Sequence, residues 1–312
     1  LRVLITGSGG FVGRHLAAYA AAQGADVIGT RRPGISLEGK SVELDLTNVD
    51  SLRRAVKEAA PDLIFHLAGE SSVAASWLSP ERTLETNVLG LQRLLEAVLT
   101  EKPSARVLVA CSSDQYGPVD EEDLPIDESA PFRPTSPYAL SKCAQDLIAY
   151  QFHYAHGLHV VRTRNFSQIG PGQDARFAPG RFARETARIE AGLAEPVMKT
   201  GNLDAIRDFT DVRDSVRALW LVLDSGRPGE AYNVCSGLGR RVGDIVEHFR
   251  LRSRKPFRVE TDPALVRPVD VPAAWGDGSK LSRETGWRPE ISFERALDDL
   301  LEDWRKKVKE GA

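Results

Sequence analysis

Cysteine is scarce. Cys111, Cys143 and Cys235 are the whole complement, odd in number and widely spaced, so neither a disulfide framework nor a thiolate metal site is encoded. A reducing, cytoplasmic setting suits such a chain. Long apolar runs are missing too. None approaches the ~18 residues of a membrane-spanning helix, and no basic stretch precedes an apolar one in the manner of a secretory signal. The chain opens at Leu1 without an initiator Met, directly before an apolar strand, and a short leader is expected to have been trimmed or left out. An excess of one charge is also lacking. Lys plus Arg is 41 and Asp plus Glu is 44, a net charge of −3. That balance excludes a general pull toward nucleic acid or anionic membrane, while leaving room for a local basic pocket for a phosphorylated small molecule. No internal repeat or low-complexity tract is visible, which excludes a solenoid.

What is present is a globular mixture, 42% hydrophobic and 27% charged over 312 residues. It suffices for one large or two modest domains whose core needs no disulfide or metal staple. Residues 2–6 read as a strand, about 11–23 as an Ala-rich helix stopped by Gly24, and 26–30 as a second strand. Residues 42–45 suggest a third strand and 49–59 a helix. Leu63-Ile64-Phe65 and Val107-Leu108-Val109-Ala110 are short continuous apolar runs, as in strands buried on both faces of a parallel sheet. Between them, 80–100 keeps helical spacing through Leu84, Val88, Leu91, Leu94 and Leu95. A helix over 136–156 and a strand over 158–161 follow. Strand and helix alternate to about residue 165, which means an α/β fold with right-handed crossovers. After Gly170-Pro171-Gly172 the pattern becomes mixed, with helical pieces near 178–191, 211–224, 241–252 and 292–308.

Gly7-Ser8-Gly9-Gly10-Phe11-Val12-Gly13 joins the first strand to the first helix. Gly7, Gly10 and Gly13 allow a tight turn, close approach of backbone N–H groups to a pyrophosphate, and close helix–strand packing. A carboxylate at the end of the second strand would take the ribose 2′-OH of NAD. Here Thr30-Arg31-Arg32 stands instead, and two guanidinium groups suit the 2′-phosphate of NADP(H). A solvated basic turn is the plainer alternative. Asp45-Leu46 sits where an adenine edge would be held.

Tyr138 and Lys142 lie four apart on a helix opened by Ser136-Pro137, so phenol and ammonium share one face. A nearby ammonium is expected to lower the Tyr pKa, and a Tyr so tuned exchanges a proton with a carbonyl or alcohol oxygen. Ser112-Ser113 ends the strand 107–110 at the edge where ligands of open parallel sheets collect, and a hydroxyl there can bond the same oxygen. Cys111 reads as strand-end packing. No metal site is expected.

These residues resemble a known family. Gly7-x-x-Gly10-x-x-Gly13, His66-Leu67-Ala68-Gly69, Asn87-Val88, Ser112-Ser113-Asp114-Gln115-Tyr116-Gly117 and Tyr138-x-x-x-Lys142 are together similar to the extended short-chain dehydrogenases/reductases, over essentially the whole chain. The resemblance implies a Rossmann doubly wound parallel sheet over 1–165. It further implies a smaller mixed α/β C-terminal substrate domain over 166–312, some of whose segments return to the first. Its cofactor contacts fall on the glycine loop, Leu67, Ala68, Gly69, Tyr138 and Lys142. Its catalytic hydroxyl falls on Ser112, with Ser113 as second choice, and its acid on Asp114.

Within that family, Gly201-Asn202-Leu203-Asp204-Ala205-Ile206-Arg207-Asp208-Phe209 and Arg267-Pro268-Val269-Asp270-Val271-Pro272 are similar to enzymes acting on GDP-mannose derivatives. By that likeness Arg207 and Arg267 contact the diphosphate and Asp270 the ribose. Ser76 touches the hexose, and Ser113, Asn165, Ser167 and Lys199 complete the substrate contacts. One departure stands out: the family's Phe-Asn is here Phe166-Ser167, with Asn165 ahead of Phe166. The implied function is NADPH-dependent reduction of the 4-keto group of a GDP-4-keto-6-deoxyhexose by a homodimer paired through a four-helix bundle of helices 80–100 and 136–156. The short segment Pro33 to Lys40 and the Phe166–Gln173 stretch favour this reductase over a GDP-mannose 4,6-dehydratase. A non-catalytic NADP-binding regulator is the rival from another class, and an intact Ser112–Tyr138–Lys142 set argues against it.

Overall fold

In the computed structural model, which describes residues 1–265 and 271–311, strand and helix alternate through the first half of the chain. β1 (Arg2–Thr6), α1 (Phe11–Ala22), β2 (Asp26–Arg31), β3 (Ser41–Glu43), α2 (Val49–Ala59) and β4 (Leu63–His66) come first. Then follow α3 (Val73–Leu78), α4 (Pro80–Leu84), α5 (Gly90–Glu101), β5 (Arg106–Ser112), α6 (Pro137–His156) and β6 (Val160–Asn165). The second half holds β7 (Ser167–Ile169), α7 (Ala178–Ala191), β8 (Val197–Thr200), β9 (Ile206–Asp211), α8 (Val212–Ser225) and β10 (Ala231–Val234). It ends with β11 (Gly239–Arg241), α9 (Val242–Arg252), β12 (Arg258–Thr261), β13 (Ala273–Ala274), α10 (Ser279–Thr285) and α11 (Phe293–Lys309).

Seven strands form one sheet in the order β10-β6-β5-β4-β1-β2-β3, all pairs parallel. The apolar runs fill both of its faces. Leu4, Ile64, Val107 and Val109 pack with α2, α5 and α6, while Val3, Ile5, Phe65 and Leu108 pack with α1 and α8. The strand order reverses between β1 and β4, and at such a point a crevice opens beyond the carboxyl ends of the strands. β10 joins the sheet beside β6, and α8 packs on α1, so residues 212–234 lie on the large sheet. Elsewhere β11, β9 and β13 form a small sheet that β7 extends, β8 pairs with β12, and α7, α9 and α11 enclose a third core. Among the described residues no helix is long and apolar enough to cross a membrane.

Three elements differ from the sequence reading, each for a local reason. The strand expected at 158–161 runs instead from Val160 to Asn165. Its second half carries Arg162 and Arg164, whose charges are buried against Asp146. The helix expected over 80–100 is interrupted by a π-helical turn, Glu85–Leu89. There the fully buried Asn87 side chain binds Glu70 and Ser141, and Gly90 follows so close to Leu46 that a Cβ would lie 3.0 Å from the Leu46 Cβ. The strand expected through Asp45 stops at Glu43, because the Asp45 carboxylate turns to accept from the backbone N and hydroxyl of Thr47, at 2.9 and 2.8 Å.

Candidate active site

The glycine loop is drawn tight by its own backbone. Gly10 N donates to the Gly7 carbonyl at 2.9 Å, and a Cβ on Gly13 would lie 2.2 Å from that same oxygen. No side chain larger than hydrogen fits between loop and helix there. α1 starts at Gly10 with no side-chain cap, so its first N–H groups face outward as an anion cradle. Phe11 and Val12 are half-buried beneath it. Ser8 ties the loop to β2, accepting from Thr30 N at 3.1 Å. On the other side Leu67 N and Ala68 N both donate to Thr6 Oγ1 at 3.1 Å. Gly69 follows at φ +155°, where a Cβ would lie 2.6 Å from Asn87 Oδ1.

Beyond β2, Arg31 and Arg32 part company. β2 and β3 pair in a register that sets Arg31 opposite Glu43, and the two bond at 3.2 Å. Arg32 is exposed. The carboxylate missing from the end of β2 is thus supplied by its neighbour strand. Glu43 went unnoticed because the apolar–polar alternation of Val42-Glu43-Leu44 was legible but its register was not. Asp45 is committed to its own turn, with Leu46 buried behind it.

At the carboxyl end of β5, Ser112 caps a short turn, its hydroxyl accepting from Asp114 N at 3.2 Å. The Ser112 hydroxyl lies near the Tyr138 phenol and favours its ionised form. Tyr138 and Lys142 share a face of α6, which Ser136 starts by accepting from Ala139 N at 3.1 Å and Pro137 continues at the first helical position. Lys142 Nζ donates to the Ala110 carbonyl at 2.8 Å and lies 5.8 Å from the Tyr138 ring centroid.

The electrostatics correct one expectation. Burial holds the Tyr138 phenol above its ordinary value, the nearby Asp114 carboxylate pushes the same way, and only the Ser112 hydroxyl opposes them. Burial also lowers the Lys142 pKa. Desolvation penalises both charged forms and outweighs the attraction that the i, i+4 spacing suggested. Tyr138 therefore stays a phenol at neutral pH, a proton donor rather than a base. Cys111, pushed up to about 12 by burial, is an inert strand-end thiol.

Glu70 is a further carboxylate near this centre that the sequence reading missed. Asn87 clamps its backbone, accepting from Glu70 N at 2.8 Å and donating to its carbonyl at 3.1 Å. The Glu70 side chain accepts from Ser71 N and Ser72 N at 2.9 Å, and its charge further disfavours the Tyr138 phenolate. Its signal was its place, one residue past the Gly69 turn.

The expected substrate contacts divide. Asn165 sits opposite Ser112 in the β5–β6 ladder. Its amide donates to the Cys111 carbonyl at 3.0 Å and its Oδ1 is buried with no partner among the described residues. Ser113 is half-buried beside Asp114. Ser76, expected to touch a hexose, is instead fully enclosed: its hydroxyl donates to the Val73 carbonyl at 2.7 Å and accepts from Tyr138 N at 3.1 Å. It seats the first turn of α6. Ser167 lies on β7 opposite Phe209, and Arg207 on β9 opposite Arg240. Lys199 is exposed on β8 opposite Glu260. Arg267 and Asp270 lie outside the described residues.

A buried ion cluster holds α6 against the sheet. Asp146 accepts from Arg162 and, at 2.9 Å, from Arg164 Nε. Arg164 also donates to Tyr116 Oη at 3.0 Å, and that hydroxyl donates to Asn233 Oδ1 on β10 at 2.7 Å. Arg162 reaches the Gly229 carbonyl.

A parallel sheet with a glycine cradle at its switch point, and a Ser–Tyr–Lys set at the same edge, defines the extended short-chain dehydrogenase/reductase class. The comparisons narrow this. A family model described as GDP-mannose 4,6 dehydratase matches residues 4–300. The chain is 36% identical over 309 residues to the GDP-6-deoxy-D-mannose reductase of Pseudomonas aeruginosa, covering 99% of each. It is 29% identical over 348 residues to the GDP-mannose 4,6-dehydratase of Vibrio cholerae, covering 96% of this chain and 92% of that one. Among solved structures, that of RMD from Pseudomonas aeruginosa complexed with NADPH superposes with a TM-score of 0.87 at 34% identity, covering 99% of this chain and 100% of that one. The Thermus thermophilus UDP-glucose 4-epimerase complex with NAD gives 0.86 at 28%, covering 98% and 99%. The chain belongs to the GDP-mannose 4,6-dehydratase family of extended short-chain dehydrogenases/reductases.

Proposed function

We propose that the protein reduces the 4-keto group of GDP-4-keto-6-deoxy-D-mannose to give GDP-D-rhamnose, with NADPH as reductant. The observation that carries this reading is end-to-end collinearity with a reductase, since 309 aligned residues cover 99% of both chains. The protonated state of Tyr138 supports the same direction, because ketone reduction needs an acid at the oxygen.

The residues present fit the cofactor. Gly7, Gly10 and Gly13 leave room for a pyrophosphate at the start of α1, Arg32 and Arg31 offer guanidinium groups to a 2′-phosphate, and Asp45 and Leu46 border the adenine. Leu67, Ala68 and Gly69 wall the crevice, and Lys142 holds the ribose. When bound, NADPH supplies the hydride for the carbonyl carbon. Ser112 orients the carbonyl oxygen, and Tyr138 gives it a proton as charge develops there. Asn165, Ser167, Lys199 and Arg207, with Arg267 and Asp270, are proposed to hold the GDP-sugar. Asp114 favours a second reading, since a carboxylate beside Tyr138 is what a dehydratase needs to take a C5 proton. The deciding assay incubates the protein with GDP-mannose alone and with GDP-4-keto-6-deoxy-D-mannose plus NADPH, followed at the nicotinamide absorbance and by product NMR. NADPH consumption with a 6-deoxyhexose product supports the reductase. Turnover of GDP-mannose without NADPH would mean the dehydratase.

Replacing Arg31 and Arg32 together with Ala is expected to weaken NADPH by roughly 10–100-fold and NADH far less, the scale of lost bonds to a charged group. Glu43→Gln, which frees Arg31 from its ion pair, should tighten NADPH. Equal losses for both cofactors in titration would remove the NADP(H) assignment.

The homodimer is proposed from α6. Leu140, Leu147 and Tyr154 recur every seven residues and are 50%, 58% and 80% exposed, an apolar stripe that the sheet does not cover. The expected matching stripe on 80–100 is thinner, with Leu89 its large exposed apolar side chain, because the π-helical turn rotates the helix there. Leu147→Glu with Tyr154→Glu should give a monomer in light scattering at micromolar concentration. A wild-type monomer under the same conditions counts against the pairing.

A further inference from the structure

His66 ends β4, buried beside Thr6 of β1, and its bonding can be worked through atom by atom. Its Nδ1 lies 2.9 Å from Thr6 Oγ1. A Thr hydroxyl has one proton to give and two lone pairs to accept with. Thr6 Oγ1 accepts from Leu67 N and Ala68 N at 3.1 Å, the Leu67 N–H also reaching the Thr6 carbonyl at 3.3 Å, and among the described residues its own proton has no acceptor other than His66 Nδ1. The hydroxyl proton must then go to His66 Nδ1, which is an acceptor and carries no hydrogen. Burial and the Lys142 ammonium hold His66 neutral, its pKa lowered to about 3. Its one ring proton is therefore on Nε2. That N–H is buried with no partner among the described residues.

The two ring nitrogens point away from each other, so with Nδ1 turned to β1, Nε2 faces away from it. On that side β5 pairs with β4, and Lys142 Nζ is bonded to the β5 carbonyl of Ala110. An ammonium has only donors, and Nε2–H is a donor as well. The two cannot satisfy each other, and a buried N–H left without an acceptor is costly. An oxygen placed between them can accept from both.

We infer that His66, locked as the Nε2–H tautomer by Thr6, binds with Lys142 a single buried water molecule and so acts as a positioning residue for the Lys142 ammonium. The inference rests on the reading of Tyr138 and Lys142 as the working pair. Buried waters of this kind commonly make about three hydrogen bonds to polar groups that lack other partners. In this arrangement the histidine holds an oxygen whose lone pairs face the ammonium, which keeps Lys142 both charged and aimed.

The test uses full-length protein labelled with ¹⁵N-histidine, without cofactor, at neutral pH. The chain has six histidines, so His66 is assigned by its loss in His66→Gln. The expected result is a protonated Nε2, a bare Nδ1, and a cross-peak from the Nε2 proton to a long-lived water. Thr6→Val should release the tautomer and populate Nδ1–H. A wild-type Nδ1–H form, or no water cross-peak, overturns the inference. An acceptor that appears only when NADPH is added also overturns it, by assigning that oxygen to the cofactor. In turnover, His66→Leu should lose roughly tenfold in kcat, about one hydrogen bond to a charged group, and His66→Gln, which keeps a donor, should restore most of it. Equal rates or equal losses in the two variants mean that His66 is packing alone. The tautomer is read without substrate, so the inference can fail while the reductase reading stands, and the reverse.

Discussion

Tyr138→Phe is expected to lower NADPH-dependent turnover by about 10²–10⁴-fold, the usual contribution of a positioned acid, while NADPH affinity stays nearly unchanged. The substitution removes one oxygen and keeps the buried ring, so the seat built by Ser76 under Tyr138 N is undisturbed. What disappears is the group that meets both the Ser112 hydroxyl and the substrate oxygen. Burial and the Asp114 and Glu70 charges keep this phenol protonated, so wild-type reduction should show no loss at neutral pH from Tyr138 ionisation. The reverse oxidation, which needs phenolate, should be slow there and rise with pH. Steady-state kinetics with a binding titration of NADPH separates the two effects. A variant that keeps more than a tenth of wild-type kcat would show that another group donates the proton.

Asp146→Ala is expected to cost about 3–5 kcal/mol of stability, the usual result of leaving buried charge without its partner. That is a large share of the ~5–15 kcal/mol that a folded domain commands. Arg162 and Arg164 would remain enclosed with no carboxylate between them. Asp146→Asn keeps the shape and should still lose most of this. The acid dependence follows. Burial alone would raise the Asp146 carboxyl, but the Arg164 hydrogen bond and the charges of both arginines outweigh it and hold the pKa below its ordinary value. A carboxyl with a depressed folded-state pKa stabilises fully above the unfolded value of ~3.9, and that contribution fades as pH falls through the lower folded value. Urea denaturation at pH 7 and again below pH 4 should therefore show wild type and Asp146→Asn converging in acid. A difference under 1 kcal/mol at pH 7 would mean that the cluster relaxes without its anion.

Much of the large sheet was legible because its signals are local. The runs in β1, β4 and β5 are apolar without interruption, Gly24 ends α1, and 178–191 keeps a helical period that the structure reproduces as α7. Legibility failed wherever a polar residue was satisfied by something distant in sequence. The strand read over 158–161 runs on to Asn165 because Arg162 and Arg164 are buried against Asp146, which lies on another element. Asn87 breaks a helix through bonds to Glu70 and Ser141, 17 and 54 residues away. Glu43 meets Arg31 through a register that periodicity does not specify. The Tyr138–Lys142 spacing was readable, but the shift of the phenol was not, since desolvation depends on everything packed around it. Ser76 shows the same limit: a hydroxyl in the right segment, turned inward to hold a helix.

The ion cluster has a consequence for synthesis. Tyr116 and Asn233 are bonded across 117 residues, and Arg162 and Gly229 across 67. At ~5–20 residues per second on a ribosome, residue 138 emerges roughly 5–20 s before residue 233. Throughout that interval the nascent chain has Ser112, Tyr138 and Lys142 but not the strand that closes the sheet beside β6. α6 can form in that time, yet Tyr116 lacks Asn233 on β10 and Arg162 lacks the Gly229 carbonyl just before it. The working centre is encoded in the first half of the chain and finished by the second. A nascent chain stalled before β10 would carry the whole triad and have no finished place to put it.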